Sequence, residues 1–121
     1  MTTTTRFDTF TPATVWTDVC AFDDLLPGRG VCALVGRTQV AVFRMPVTDA
    51  LYAVSNYDPF SDAFVLSRGI VGSKGDVPKV TSPIYKQGFD LRTGECLDDP
   101  TVRIETYAVC VVRGTVRVAL T

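Results

Sequence analysis

The sequence predicts an all-β fold. Apolar and polar residues alternate at period two through most of the chain, and no window of about a dozen residues carries a helical apolar stripe. Glycine- and proline-containing turns separate the apolar runs. At 121 residues the chain is long enough for one modest core and too short for a second, so residues 1–121 are read as a single domain.

The elements follow in order. After a polar start, "TVWTDVCAF" reads as a first strand, ended by "DDLLPGRG", where Pro27, Gly28 and Gly30 break the pattern. "VCALV" and "QVAVFRM" form a hairpin across "GRT", and "ALYAVSN" is the next strand. Residues 56–85 differ in kind. Their turn residues are dense and their apolar runs short, "NYDPFSDAFVLSRGIVGSKGDVPKVTSPI", so they read as an inserted subdomain of loops and short strands. Hairpins then return: "FDL" and "ECL" across "RTG", and "IETYAVCVV" and "VRVAL" across "RGT".

Composition narrows the function classes. The 12 basic and 13 acidic residues nearly balance, and no Lys/Arg run supplies the footprint that nucleic acid or an anionic membrane requires. The most apolar run, "YAVCVVRGTVRVAL", is interrupted by Arg113, Gly114 and Arg117 and falls short of the roughly 20 residues of a membrane span. The amino terminus shows no apolar signal-peptide core, so the expected location is the cytoplasm.

With no histidine, the chain lacks histidine bases, Ser-His and Cys-His pairs and most zinc sites. It also lacks a phosphate-cradling glycine motif in a strand-to-helix context. Cys20, Cys32, Cys96 and Cys110 show no C-x-x-C spacing and are expected to be reduced core residues; a disulfide is disfavoured by the cytoplasmic setting. Cys110 is placed on one strand face with Ile104, Thr106, Ala108 and Val112.

Two loops carry the functional signal. "NYDPFSDA" and "TSPIYKQGFDLRTG" resemble the two cluster loops of the Rieske ferredoxin family, one bearing Cys-Pro-His and the other Cys-Pro-x-His, which together hold a [2Fe–2S] cluster. Proline-to-proline matching sets Asp58 and Phe60 at the first Cys and His positions, and Ser82 and Tyr85 at the second pair. Phenylalanine has no lone pair and serine would have to ionise, so the resemblance implies a fold that has kept its loops without the ligands. The resemblance runs from about Val31 to Leu120. The wording "DPFSDAFVLSRGIVG…SPIYKQGFDL" is similar to the small-subunit branch of the assimilatory NAD(P)H-dependent nitrite reductases.

That branch implies an accessory, redox-inert subunit without a cofactor. Its large catalytic partner carries FAD, sirohaem and a [4Fe–4S] cluster and reduces nitrite to ammonium. The alternatives are an electron-transfer protein with unusual cluster ligands, drawing on Cys96, and a free-standing β-domain adaptor. Asp58 and Ser82 are expected either to hydrogen-bond across the loops or, for Asp58, only to start the turn before Pro59. Phe60 is expected to plug the vacated space and Tyr85 to face outward. Tyr85, Phe60, Arg68 and Lys86 are the candidate partner-interface residues, with Lys74 and Lys79 as further cations nearby.

Overall fold

The computed structural model describes residues 14–120. Eleven strands appear among the described residues: β1 (Thr17–Ala21), β2 (Gly30–Val35), β3 (Thr38–Arg44), β4 (Leu51–Ser55), β5 (Tyr57–Asp58), β6 (Ala63–Phe64), β7 (Ile70–Lys74), β8 (Val77–Thr81), β9 (Gly88–Asp90), β10 (Thr106–Val112) and β11 (Thr115–Ala119). They form a six-stranded antiparallel sheet in the order β1-β11-β10-β4-β3-β2, a two-stranded ribbon β5-β6 and a three-stranded sheet β7-β8-β9. This is an all-β architecture in which the large sheet curls into a nearly closed barrel, its edge strands β1 and β2 in contact.

The tight hairpins fall where the glycines stand. Val35 pairs with Thr38 across Gly36-Arg37, and Val112 with Thr115 across Arg113-Gly114. Arg113 and Gly114 both have positive φ, 52° and 78°, the backbone that a two-residue turn needs to match strand twist. The first strand is shorter than its apolar pattern suggests. It begins at Thr17, carries a bulge between Asp18 and Cys20, and gives way at Phe22 to a 3₁₀ turn whose N–H bonds Gly114 O. "ECL" forms no strand; single bridges, Phe89 to Cys96 and Glu95 to Arg103, take its place.

Strand β3 explains how the loops are seated. Its residues Val40, Ala41, Val42 and Phe43 are all buried, so both of its faces are covered. Val40 and Val42 point into the barrel with Leu25, Val35, Ala53, Val116 and Val118. Ala41 and Phe43 point the other way, into a second core with Val54, Leu66, Val80, Phe89, Leu91, Cys96 and Ile104. Each large side chain so buried contributes about 1.5–3 kcal/mol. The second core glues the 56–85 segment and the β9 hairpin to the outside of the barrel.

The cysteines depart from expectation. Only Cys96 is fully buried; Cys20 and Cys110 are half-buried and Cys32 is exposed, and all four are free thiols. On β10 the inward residues are Tyr107 and Val109, which pack against the barrel core, while Thr106 and Ala108 face out. Ile104 belongs to the second core, and the pleat starts afresh at Thr106 beyond the bridge at Arg103, so a period counted through Ile104 selects the wrong face.

Strand β9 and its turn are held by Asp90. Its Oδ1 accepts the Arg92 N–H at 2.8 Å, and both carboxylate oxygens lie 3.3 Å from the Arg92 guanidinium. Burial alone would raise this carboxyl, but hydrogen bonds and charge from Arg92 hold it below the usual carboxylate range. A depressed native pKa contributes stability that is full above the unfolded value, near 4, and is lost as pH falls through the native value. Arg92→Ala is therefore expected to move the acid-unfolding midpoint to higher pH, followed by circular dichroism. Because half of Arg92 is exposed, the loss at neutral pH should be small beside the shift of the acid limb. An unchanged acid limb would remove Asp90 from the account.

Candidate functional site

The site lies where two loops meet, Asn56–Arg68 and Ser82–Gln87. Asn56 fastens the first loop to the barrel. Its amide nitrogen donates to Gln39 Oε1 and to the Phe64 carbonyl, each at 3.2 Å, and its Oδ1 accepts the Ser67 N–H at 2.7 Å. Its backbone adds bonds to Gln39 O and from Leu66 N. It is 2% exposed, and this saturation is what makes a buried amide tolerable. Asn56 was not singled out in the sequence; the signal available was a polar residue closing the apolar run "LYAVS".

Asp58 is wholly buried and works in both of the ways anticipated for it. Its Oδ1 accepts the Phe60 N–H at 2.9 Å, which sets the turn around Pro59. Its Oδ2 accepts the Ser61 hydroxyl at 2.9 Å and, across the loops, the Ser82 hydroxyl at 2.5 Å. Ser82 Oγ in turn accepts the Ile84 N–H at 3.3 Å, and Ser82 N bonds Gln87 O to close the second loop. One buried carboxylate thus gathers three donors from two loops, and bonds to a charged acceptor contribute about 1.5–3 kcal/mol each.

Phe60 is half-buried against the second core, its ring centroid 6.1 Å from that of Phe89. Tyr85 is 60% exposed at the tip of the second loop, flanked by exposed Ile84. The Phe60 ring thus packs inward and the Tyr85 ring faces solvent. Arg68 and Lys86 are exposed, and Lys86 folds back to donate to Pro83 O at 2.8 Å with φ of 68°. The structure also brings together a pair absent from the sequence expectations: Tyr57 and Phe64, with ring centroids 5.2 Å apart. The Tyr57 hydroxyl donates to Asp62, and that hydrogen bond, then desolvation and the charges of Asp62 and Asp58, push its phenol above the ordinary value.

A Rieske cluster does not fit these residues. Asp58 has spent its carboxylate on Phe60, Ser61 and Ser82, and Ser82 has spent its hydroxyl on Asp58. Phe60 offers no lone pair, and Tyr85 points into solvent. Cys96 is 1% exposed within the apolar second core and presents no thiolate to either loop. Among the described residues, no three His, Cys, Asp or Glu side chains are grouped to hold a metal ion. Nor is any helix among them long and apolar enough to cross a membrane. The geometry clamps two loops together and leaves an aromatic side chain exposed at the tip of one of them.

Comparison with known proteins agrees with this architecture. A family model described as a Rieske-like [2Fe–2S] domain matches residues 15–119. It therefore takes in β1, which the sequence resemblance had left out; β1 is integral because it pairs along β11. The nitrite reductase (NADH) small subunit of Salmonella typhimurium is 44% identical over 102 residues, covering 84% of this chain and 94% of that protein. The NMR structure of the Escherichia coli protein NirD has a TM-score of 0.81 at 41% identity, covering 88% of this chain and 97% of that one. The nitrite reductase NAD(P)H large subunit of Klebsiella oxytoca is 38% identical over 105 residues, which are 87% of this chain but 11% of that protein. With its barrel, its paired loops and these relatives, the chain belongs to the Rieske-like [2Fe–2S] domain family, in the branch of the nitrite reductase small subunits.

Proposed function

We propose that this chain is the accessory, redox-inert small subunit of an NAD(P)H-dependent nitrite reductase. It supports a large catalytic subunit that carries FAD, sirohaem and [4Fe–4S] and converts nitrite to ammonium in the cytoplasm. Residues 1–121 then make one domain, with about 56–85 as the loop subdomain. The observation that carries this reading is the Asp58–Ser82 bond, which joins the two loops at the positions matched to the inner cysteines of a cluster protein. The small-subunit relatives support the oxidoreductase role, and the Klebsiella oxytoca large subunit, which contains a segment similar to the chain, supports the partnership.

The test is reconstitution. Nitrite-dependent NAD(P)H oxidation by the large subunit should rise, or survive longer, when this chain is added; no effect on either activity or lifetime would sink the proposal. Two variants separate structure from docking. Phe60→Ala removes a ring packed on the second core and should cost about 1–3 kcal/mol in chemical denaturation. Tyr85→Ala should change stability by less than about 0.5 kcal/mol yet weaken the response to the partner. A Tyr85→Ala protein that supports the partner fully would take Tyr85 out of the interface.

A further inference from the structure

Beside the two loops, a crevice of about 460 Å³ opens between the Pro27–Gly30 loop and the 3₁₀ turn Leu66–Arg68. Arg29 and Arg68 both line it, together with Ser67 and Ile70, the last 71% exposed. The approach of the two segments depends on Gly30. A Cβ there would stand 2.5 Å from the Phe43 ring and 2.6 Å from Ser67 O, so only glycine lets the strands of chain bearing the two arginines touch. The base of the Pro27–Gly30 loop is fixed by Arg44, whose carbonyl accepts the Gly28 N–H and whose guanidinium donates to Leu25 O at 2.8 Å.

Among the described residues neither cation has an ion-pair partner. The ion pairs among the described residues join Arg44 to Asp49, Arg92 to Asp90 and Arg117 to Asp18, and none includes Arg29 or Arg68. Two guanidinium groups bordering one crevice create a local positive potential that selects an oxyanion. The donors available decide which kind. The backbone N–H groups of Gly28, Arg29, Arg68 and Gly69 are all bonded to carbonyls, and that of Ser67 to Asn56 Oδ1. A free phosphate or nitrite ion would thus find no main-chain cradle of the kind that holds small anions. What remains is two planar guanidinium forks beside an exposed isoleucine, a combination suited to carboxylates carried on a protein surface.

We infer that the Arg29–Arg68 crevice is a docking site for an acidic segment of the large subunit. This inference rests on the small-subunit reading and adds a face to it, distinct from the Tyr85 tip. Binding of the full chain to the large subunit, measured calorimetrically, tests it. The affinity should fall steeply between low salt and about 250 mM salt. Arg29→Glu with Arg68→Glu should weaken it by at least about tenfold, whereas Arg113→Glu, at the β10–β11 turn, should change it less than about twofold. Arg29→Lys with Arg68→Lys keeps the charge and loses the forks, so it should bind a few-fold more weakly; it carries the test if the Glu pair does not fold. A folded Glu pair, or in its stead a Lys pair, that binds like the wild type overturns the crevice and leaves the small-subunit reading standing. No binding by the wild type overturns both. Sub-millimolar binding of phosphate or nitrite to the chain alone, abolished by the Glu pair, would replace the protein carboxylate with a free oxyanion.

Discussion

Asp58→Ala is expected to lower folding stability by about 3–5 kcal/mol, because three donors around a buried site lose their acceptor at about 1–3 kcal/mol apiece. The substitution strands the Ser82 and Ser61 hydroxyls and the Phe60 N–H at once, in a place where Asp58 itself is 0% exposed. It also leaves a void beside the loop junction. For a domain of this length the melting temperature should drop by roughly 10 °C or more. Ser82→Ala should cost less, about 1–3 kcal/mol, because Asp58 keeps two of its three donors. The double variant should fall short of the sum, since both changes remove the same bond. A loss below about 1 kcal/mol for Asp58→Ala would mean that the residue merely shapes a turn.

Gly94→Ala is expected to be more damaging still, with little folded protein accumulating. Gly94 adopts φ of 81°, which a side chain disfavours, and an added Cβ would lie 2.0 Å from Ile104 O. That carbonyl cannot swing away cheaply. Ile104 N donates to Gly94 O at 2.8 Å, Gly94 N donates to Asp90 O at 2.7 Å, and the Ile104 side chain is part of the second core. The loss should exceed about 4 kcal/mol, combining strain with displaced core packing. Expression followed by urea titration measures it; a variant with a near-normal midpoint would show that the turn and the chain crossing it are looser than described.

Much of this was legible in the sequence, for reasons visible in particular residues. The β2–β3 and β10–β11 hairpins could be placed because Gly36 and Gly114 satisfy turns that demand positive φ. The loop positions could be placed because Pro59 and Pro83 survive as markers when the ligands beside them do not. Asp58 remained ambiguous between turn and cross-link because an Asx turn is local and its partner Ser82 lies 24 residues away. Strand β3 showed an apolar run but not its second role, since burial on both faces erases the alternation that would reveal which residues face which core. The inner face of β10 was misplaced because its pleat restarts at Thr106. Asn56 was overlooked beside the more conspicuous Asp58-Pro59, and Arg29 because "PGRG" reads first as a turn.

The central claim is that hydrogen bonds between Asp58 and its partners hold the loops that a [2Fe–2S] cluster holds in the ferredoxins this fold resembles. Its most direct test is the iron and acid-labile sulfide content, with the visible spectrum, of purified chain that still supports nitrite reduction by the large subunit. The account expects a colourless protein with no stoichiometric iron or sulfide and full support of its partner. A brown protein with about two irons and two sulfides per chain, losing that support when the iron is chelated, would contradict it.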